Sequence, residues 1–420
     1  MTKSIQSFPR RVAVLGSSGS IGRNALEVIA GSKGLLVPVL LSVHTQTDVL
    51  AEQIRQMALR GITAEMQTGK NVSAVLPRWL VVTGENADRD VLKGLPKDVE
   101  VLYGQEALCE LVRRPEIDTV LSGIVGSAGL TSTWAAIEAG KTVALANKEA
   151  LVMGGQLLTN LAKQTGGQLI PVDSEHSALM QALRSKTLAD NTQDNIAQDA
   201  VERIILTASG GPFRTWTLEA LRNVTVKDAL KHPVWKMGRK ITVDSATLMN
   251  KALEIIEARW LFDIPAKQID IVIHPQSLIH SMVEFTDGSV IAQVSKPDMR
   301  LPIQTALTFP YRFPSPALKM DWTFTQTLDF YPPDLKRFPA IPLGWDVAER
   351  GGSAGAVVNA ANETAVNAFL AERLPFDKIV SLCKTVLESH NYEPSPTLER
   401  LLQLDAWART ETEKVICGTT

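Results

Sequence analysis

Cysteine is scarce in this sequence, and the three that occur, Cys109, Cys383 and Cys417, lie far apart. An odd number of widely spaced cysteines argues against a disulfide framework and fits a reducing compartment. No apolar run reaches the ~18 residues that a membrane-spanning helix needs. The polar, mildly basic segment Met1–Arg11 also lacks the apolar core of a secretory signal. These absences predict a cytoplasmic protein that does not interact with a membrane.

An excess of charge of one sign is absent too. The chain has 43 basic and 45 acidic residues and a formal net charge of −2. Because there is no basic stripe or polybasic tail, we expect no nucleic-acid partner. A hydrophobic content of 45% is ample for a large core. At ~100–200 residues per domain, the length predicts roughly two to four domains.

The N-terminal region carries a glycine pattern between a predicted strand and a predicted helix. Arg11–Leu15 reads as a buried strand, Gly16-Ser-Ser-Gly-Ser-Ile-Gly22 follows it, and Arg23–Ala30 reads as helix. Glycines at these spacings permit a tight turn and close approach to a pyrophosphate, which the helix N-terminus then faces. The pattern is a variant of the usual dinucleotide fingerprint. A glycine-rich connection without a ligand is the alternative.

Strands and helices alternate along the rest of this region, which predicts a parallel doubly wound sheet. After the last of these strands, Ala146-Asn-Lys-Glu149 lies at the carboxyl edge of the sheet, where ligands bind in such folds. Lys148 is then either a surface lysine or a cation that faces a phosphate or a polarised carbonyl. The predicted strands are Leu36–Val43, Trp79–Thr83, Asp118–Val125 and Thr142–Ala146, and the predicted helices are Asp48–Leu59 and Thr131–Ala139.

Two carboxylates follow the next predicted strand, Gln168–Val172. If the extended conformation continues, Asp173 and Glu175 point to the same side, because strand side chains alternate. Two such carboxylates repel each other unless a cation lies between them, and ligation by oxygen alone suits Mg²⁺ or Mn²⁺. A solvated loop pair, or a helix N-cap for the apolar run after Ser177, is the alternative.

Two further segments look suited to holding a ligand. The strand Arg203–Ala208 ends in Ser209-Gly-Gly-Pro212, a turn that offers N–H and hydroxyl donors to an oxyanion. Residues 225–240 are mostly polar but include Trp235 and Met237, which makes this loop a candidate lid over a bound ligand. The alternative is that Trp235 only anchors the loop to the core.

Residues 244–260 read as one helix, with Asp244 or Ser245 as its cap. Asn250 and Glu254 are one turn apart on a flank of this helix, where they either edge a cleft or form a solvated face. The buried stripe that defines the helix consists of Met249, Leu253, Ile256 and Trp260.

The last part of the chain predicts antiparallel strands and then helices. Ile269–Ile273 is followed by the hairpin Ser281–Glu284 and Ser289–Ser295, so the second region is α+β. The predicted C-terminal helices are Gly355–Phe369, Asp377–Leu387 and Pro396–Val415.

We therefore predict an α/β protein with an N-terminal Rossmann-like doubly wound parallel sheet over residues 1–168. A central α+β catalytic domain over 169–299 would follow, with the lid loop at 225–240. A proline-rich connector over 300–342 would lead to a small helical C-terminal domain over 343–420.

A hydride-transfer enzyme acting on a metal-bound, phosphorylated, hydroxylated substrate explains both the glycine turn and the polar groups of the second region. A binding module on the same scaffold needs neither the carboxylates nor the lid. A metal-dependent sugar-phosphate isomerase or lyase without net redox needs those groups but not the glycine turn, and it is the alternative function.

Seven short runs, in order along nearly the whole chain, together resemble the 1-deoxy-D-xylulose 5-phosphate reductoisomerase family. They are Gly-Ser-Ser-Gly-Ser-Ile-Gly22, Ala-Asn-Lys-Glu149, Pro-Val-Asp-Ser-Glu-His-Ser177, Ala-Ser-Gly-Gly-Pro-Phe213, Val-Asp-Ser-Ala-Thr-Leu-Met-Asn-Lys251, His-Pro-Gln-Ser277 and Asn-Ala-Ala-Asn-Glu363. The resemblance implies conversion of 1-deoxy-D-xylulose 5-phosphate to 2-C-methyl-D-erythritol 4-phosphate in non-mevalonate isoprenoid biosynthesis. It also implies NADPH, a divalent cation (Mn²⁺, Mg²⁺ or Co²⁺) and a homodimer.

The resemblance also implies roles for individual residues. The metal ligands would be Asp173, Glu175 and Glu254. These three, with Lys148 and His232, would be the catalytic residues. The substrate would be bound by Lys148, Ser174, Glu175, Ser209, His232, Ser245, Asn250, Lys251 and Glu254. The cofactor would be bound by Gly16, Ser17, Ser18, Gly19, Ser20, Ile21, Gln46, Asn147, Glu149 and Gly238.

The chain departs from the family pattern in three places. Many members have Gly-Lys/Arg-Asn where this sequence has His44-Thr45-Gln46, and a cation there would meet the 2′-phosphate of NADPH. Ala252 replaces a glycine, which should only favour the helix. The polar insertion Leu188–Gln198 has no assigned role.

Overall fold

The computed structural model describes residues 8–60, 76–184, 200–231, 234–235 and 237–418. The chain forms two compact units. The first unit contains the chain up to Asn147, Asn160–Asp173 and Asp298–Leu318; the second contains Lys148–Thr159, Ser174–Pro297 and the chain from Lys319 onward. The predicted insertion at 188–198 lies outside the described residues.

The elements of both units are numbered in chain order. The strands are β1 (Arg10–Leu15), β2 (Leu36–Val43), β3 (Trp79–Val82), β4 (Glu100–Tyr103), β5 (Thr119–Ser122), β6 (Thr142–Leu145), β7 (Gln168–Pro171), β8 (Val201–Ala208), β9 (Ile269–Ile273), β10 (Ile279–Phe285) and β11 (Val290–Val294). The first helices are α1 (Ser20–Gly31), α2 (Thr47–Arg60), α3 (Gln105–Val112), α4 (Leu130–Glu138), α5 (Lys148–Thr165), α6 (Ser174–Leu183), α7 (Leu218–Leu221) and α8 (Val226–Ala229). The later helices are α9 (Arg239–Thr247), α10 (Met249–Leu261), α11 (Arg300–Thr308), α12 (Ala340–Arg350), α13 (Ala354–Leu370), α14 (Ile379–Ser389) and α15 (Leu398–Gly418).

The first unit is built on a parallel sheet. Among the described residues its strand order is β4-β3-β2-β1-β5-β6-β7, and every neighbouring pair is parallel. Strands β3, β5 and β6 are buried along their whole length, as expected when helices cover both faces of a sheet. The predicted Rossmann-like sheet is therefore confirmed. No buried apolar run predicts β4, because its residues are partly or fully exposed.

The helix α11 was not expected in the proline-rich stretch, and it belongs to the first unit. The buried Arg10 side chain donates to the carbonyl oxygens of Leu307 (2.8 Å) and Phe309 (2.6 Å), at the end of this helix. Burial lowers the pKa of Arg10 from its ordinary value. Its carbonyl partners satisfy donors that would be costly to bury alone.

The second unit combines a mixed sheet with helices. Its sheet has the order β11-β10-β8-β9 within the described residues; β8 and β9 are parallel, whereas β10 is antiparallel to β8 and to β11. The predicted hairpin and the α+β class are confirmed. Helices α12 to α14 share one apolar core with β8, β9 and α10, so the C-terminal helices do not have a core of their own.

Two local predictions around the polar segments were wrong. Strand β7 ends at Pro171 and α6 begins at Ser174, so the extended conformation does not continue through Asp173 and Glu175. Residues 244–260 form two helices, because Leu248 adopts a left-handed conformation (φ 59°) between α9 and α10. Asp244 therefore lies inside α9 and does not cap the helix that carries Glu254.

Among the described residues, no helix combines the length and the low charge that crossing a bilayer would require.

Candidate active site

The glycine turn of the first unit has the geometry of a backbone cradle. Gly16 has φ +78°, and a Cβ there would lie 2.8 Å from the carbonyl oxygen of Gly123. A Cβ on Gly22 would lie 2.3 Å from the Gly16 oxygen, so only glycine lets α1 pack this closely on the turn. The first turn of α1 holds no acidic residue, and no side chain of the described residues caps it at Gly19. Its N–H groups and positive dipole end therefore suit an anion.

The other predicted cofactor residues of the first unit differ in what their side chains do. Ser17 is buried, and its hydroxyl donates to Gln53 Oε1 (2.9 Å), which makes its side chain part of the turn's support. The buried Asn147 amide donates to the carbonyl oxygens of Ile124 (2.6 Å) and Gly126 (2.9 Å) and so ties together the loops after β5 and β6. Gln46 is exposed immediately before α2. Ser18 and Ile21 are half-buried and Ser20 is exposed.

In the second unit, two lysines lie among predicted substrate and metal residues. Lys148, at the start of α5, donates to Asn250 Oδ1 (2.6 Å) and to Glu254 Oε1 (3.3 Å) on α10. Lys251 forms an ion pair with Glu175 (3.0 Å) on α6 and another with Glu254. The Asn250 amide also donates to Glu254. Three helices thus place five functional side chains in one cluster, which we call the carboxylate–lysine cluster.

Glu254 is buried to 1% exposure, so it lies inside the unit and not on a solvated flank. Burial disfavours a charged lysine, but the carboxylates of Glu175 and Glu254 outweigh it and raise the pKa of Lys251. Lys251 therefore remains a charged partner of both carboxylates.

The three predicted metal ligands lie close together. Asp173 is the junction residue directly before Ser174, whose hydroxyl donates to the neighbouring Glu175 carboxylate. One carboxylate oxygen from each of Asp173, Glu175 and Glu254 lies within 4.8 Å of the others. A donor set of oxygens alone at this spacing suits a hard divalent cation.

A buried histidine, His176, contacts the backbone of one of these three carboxylate residues. The ring of His176 is fully buried, and its Nε2–H donates to the backbone oxygen of Glu254 (3.0 Å). Its Nδ1 lies 3.6 Å from Glu257 Oε2. The sequence analysis assigned roles to neither His176 nor Glu257, although Glu257 is three residues after Glu254 and therefore on the same face of α10.

Two predicted substrate-binding residues, Ser209 and Ser245, lie in or against a second glycine turn. Gly210 and Gly211 have φ +84° and +67°, and the Gly211 N–H is donated to Ser209 Oγ (3.2 Å). A Cβ on Gly211 would lie 2.6 Å from the backbone oxygen of Ser245, so the turn after β8 lies directly against α9. This contact brings the turn that contains Ser209 against the helix that carries Ser245.

Residues 225–240 include the short helix α8 and the start of α9. Trp235 is half-buried, with its ring centroid 6.2 Å from that of His280. Burial lowers the pKa of His280, and the nearby Glu175 carboxylate opposes this effect. Gly238 is exposed at the N-terminus of α9, with open space around it. His232 lies outside the described residues.

Sequence reasoning missed two charged residues of α9. Lys240 forms ion pairs with Glu149 (2.8 Å) and with Asp244 (3.0 Å). Lys240 and Asp244 have the i, i+4 spacing of residues that share one face of a helix. This signal went unrecognised because the predicted helix began only at residue 244.

Comparisons with known proteins cover nearly the whole chain. A family model described as 1-deoxy-D-xylulose 5-phosphate reductoisomerase matches residues 12–155, and one for the C-terminal domain of that enzyme matches residues 169–262. A DXP reductoisomerase C-terminal domain model matches residues 294–411. The 1-deoxy-D-xylulose 5-phosphate reductoisomerase of Rhodopirellula baltica is 46% identical over 442 residues, which cover 96% of this chain and 94% of the relative. That of Heliobacterium modesticaldum is 46% identical over 407 residues, 97% of each chain.

Solved structures agree with these matches. The Zymomonas mobilis 1-deoxy-D-xylulose 5-phosphate reductoisomerase in complex with NADPH has a TM-score of 0.83 and 38% identity over 97% of this chain and 99% of that one. A DOX-P reductoisomerase in complex with NADPH, fosmidomycin and magnesium has a TM-score of 0.86 and 36% identity, covering 97% and 98% of the two chains. This chain therefore belongs to the 1-deoxy-D-xylulose 5-phosphate reductoisomerase family.

Proposed function

We propose that this chain uses NADPH and a divalent cation to rearrange and reduce 1-deoxy-D-xylulose 5-phosphate to 2-C-methyl-D-erythritol 4-phosphate. The observation that carries the proposal is the close approach of the carboxylate oxygens of Asp173, Glu175 and Glu254, within 4.8 Å of one another. Family membership supports the same reaction, because solved relatives contain NADPH and magnesium.

The donor set of the three carboxylates fits a cation. Asp173, Glu175 and Glu254 each offer an oxygen at a mutual distance that one ion can span, and Lys148 and Lys251 contact Glu254 and Glu175 from the same group of helices. A divalent cation held by Asp173, Glu175 and Glu254 would polarise the carbonyl and hydroxyl oxygens of the substrate. Lys148 would then be released to face the reacting oxygens, since its present partners are themselves substrate and metal residues.

Binding of the substrate phosphate is assigned to Ser209, Ser245, Asn250 and Lys251. Hydroxyl, amide and ammonium donors from the turn after β8, from α9 and from α10 are suited to a phosphate. Anchoring the phosphate fixes the carbon skeleton for rearrangement. We infer that the rearrangement proceeds by retro-aldol cleavage and re-addition, and that its product is an aldehyde. Trp235 and His232 would close over the substrate and exclude water.

NADPH is assigned to the glycine turn of the first unit, where it would supply the hydride that reduces the aldehyde. Gly16, Gly19 and Gly22 leave room for a pyrophosphate at the N-terminus of α1. Asn147 holds the neighbouring loops in place. Glu149 and Gly238, which belong to the second unit, remain predicted cofactor residues.

A cofactor-oxidation assay tests the function. We expect 1-deoxy-D-xylulose 5-phosphate to cause loss of NADPH absorbance, a chelator to stop it, and added Mg²⁺ to restore it. Detection of an isomerised or cleaved sugar phosphate without NADPH oxidation would point instead to the isomerase or lyase alternative.

We also propose that the chain forms a homodimer through the edge of the second sheet. Among the residues that the structure describes, β11 is at the edge of its sheet, and it exposes Val290, Ile291 and Val294. The segment that follows α11 exposes Trp322 (71%) and Phe324 (70%) on the same unit. A strand edge and exposed apolar side chains on one unit are suited to pairing with a second copy of the same chain.

We place the enzyme in the cytoplasm on the basis of its cysteines. Among the described residues, Cys109, Cys383 and Cys417 form no disulfide. Burial raises the pKa of the Cys383 thiol and so keeps it unreactive. Reduced cysteines fit a reducing compartment, and cell fractionation tests the assignment.

A further inference from the structure

A chain of buried polar contacts connects the C-terminal helices to the start of α5. Asn362, on α13, donates from Nδ2 to Asp244 Oδ1 (2.9 Å) on α9. Asp244 Oδ2 pairs with Lys240 Nζ (3.0 Å), and the same ammonium group donates to Glu149 Oε1 (2.8 Å) on α5. All four residues belong to the second unit. We call this series the Asn362–Glu149 relay.

The relay is buried, so its members depend on one another for charge compensation. Asn362 is fully buried, Asp244 is 1% exposed and Glu149 is 6% exposed. Burial by itself would raise the pKa of Glu149, but the nearby Lys240 ammonium lowers it below the ordinary value. Loss of any member would leave a charge or an amide without its partner in a dry interior, which is costly.

Two members of the relay, Glu149 on α5 and Asp244 on α9, are sequence neighbours of residues in the proposed site. Glu149 follows Lys148, which donates to Asn250 and Glu254 in the carboxylate–lysine cluster. Asp244 precedes Ser245, whose backbone oxygen lies against the Gly211 turn. A shift of Lys240 or Asp244 would therefore move groups that are assigned to the cofactor and to the phosphate.

We propose that Asn362, Asp244 and Lys240 are positioning residues that hold Glu149 and Lys148 in their working orientation. The proposal rests on the proposed function, because it assigns the relay to the geometry of that site. It also gives a role to the Asn-Ala-Ala-Asn-Glu363 motif, whose Asn362 lies outside the predicted site. The C-terminal helices thereby contribute to catalysis without touching substrate or cofactor.

The same helix supplies a matched control. Asn359 is as fully buried as Asn362 and lies one turn earlier on α13. Within the described residues neither Oδ1 nor Nδ2 of Asn359 has a hydrogen-bond partner. Asn359→Leu thus removes a buried amide of the same kind without touching the relay.

The test compares kcat, the KM for NADPH and the melting temperature of Asn362→Leu and Asn359→Leu. We expect Asn362→Leu to lower kcat/KM for NADPH by about tenfold or more, as loss of one hydrogen bond to a charged group can do. Asn359→Leu should stay within about twofold of the original enzyme. Equal effects of the two substitutions, or changes in melting temperature alone, would reduce Asn362 to a structural residue.

A second variant decides the question if Asn362→Leu does not fold. The Lys240 side chain is 16% exposed, and Lys240→Arg keeps the positive charge that Asp244 and Glu149 need while it changes the position and number of the donors. We expect a higher KM for NADPH with an unchanged Mg²⁺ requirement, and unchanged kinetics would overturn the inference. Absence of activity in the original enzyme would instead refute the proposed function, so the two failures can be told apart.

Discussion

Glu254 contacts several other residues of the candidate site. Its carboxylate accepts from Lys148 and Asn250 and pairs with Lys251, and its backbone oxygen accepts from His176. Because it is almost fully buried, its charge is balanced by these neighbours and not by water. Removing that charge therefore affects both lysines as well as the proposed cation.

We predict that Glu254→Gln lowers metal-dependent turnover by at least about 100-fold. The amide keeps the shape of the side chain but loses the negative charge that the cation and the lysines share. NADPH binding, followed by fluorescence, should change little because the glycine turn is untouched. Glu399→Gln, at an exposed position of α15, is the control. Normal turnover in Glu254→Gln would remove this residue from the site.

Cofactor preference is a second property that single residues control. His44, Thr45 and Gln46 are exposed between β2 and α2 and offer no permanent cation. We predict that Thr45→Arg strengthens NADPH binding by roughly tenfold without improving NADH binding, because guanidinium groups pair with phosphate. Titrations with the two cofactors measure this difference, with Thr45→Gln as the uncharged control. If Thr45→Arg strengthened the binding of NADH and NADPH equally, the 2′-phosphate of NADPH would not lie near residue 45.

At the scale of elements, the segment 225–240 is predicted to act as a lid. Trp235 is half-buried beside His280, so its ring covers part of the second unit without belonging to its main apolar core. We predict that Trp235→Ala raises the KM for substrate and lowers kcat while the melting temperature changes by only a few degrees. Trp235→Phe should keep most of the activity. A large loss of thermal stability with little kinetic change would make Trp235 an anchor of the loop.

A different contact joins two elements of the first unit. Asp118, just before β5, accepts from the backbone N–H (2.8 Å) and the Nε–H (2.9 Å) of Arg11 on β1. Its carboxylate also pairs with the Arg11 Nη2 at 2.7 Å. Burial by itself would raise the pKa of Asp118, but the hydrogen bonds and charge of Arg11 lower it below 3.8.

This pair predicts a pH-dependent stability difference. The pKa of Asp118 is lower in the folded state, so its contribution is present above about pH 4 and is lost as the pH falls through the folded pKa. We predict that Asp118→Asn costs about 1 kcal/mol of unfolding free energy at neutral pH, since both side chains are partly exposed. Urea denaturation at about pH 7 and about pH 3 should show this difference shrinking.

The control for this prediction is Glu413→Gln. Its ion pair with Arg373 is about equally exposed on both sides (47% and 44%) and connects two surface positions. It should cost less than about 0.5 kcal/mol. A constant difference between Asp118→Asn and the original protein across the pH range would exclude the Arg11 ion pair as its cause.

At the scale of the whole molecule, the proposed dimer depends on the edge strand β11. We predict that Val290→Lys weakens self-association by at least about tenfold, because a charged side chain blocks edge pairing. The exposed position of Val290 should leave the fold intact. Sedimentation equilibrium measures the effect, with Leu59→Lys on α2 as an exposed control in the other unit. A protein that is monomeric at micromolar concentration before mutation would refute the interface.

Much of the architecture was accessible from local patterns. Strands β2 and β9 have the predicted bounds, and the glycine turn leads from β1 into α1 as expected. Such features depend on neighbours along the chain, such as buried apolar runs and glycines that the backbone requires. The exposed strand β4 and the helix α11 within the proline-rich stretch were missed, since neither carries a strong local pattern.

Local sequence patterns were enough to predict most strands of the first sheet, the two glycine turns and the family to which the chain belongs. The contact of Lys148 with Glu254 across 106 residues, and the burial of Glu254, follow only from the packing of distant helices. The tertiary structure also decided that α9 and α10 separate at Leu248 and that Lys240 bridges Glu149 to Asp244. The physical reason is that a side chain's exposure and charge partners depend on how distant helices pack, and local propensity carries no information about that packing.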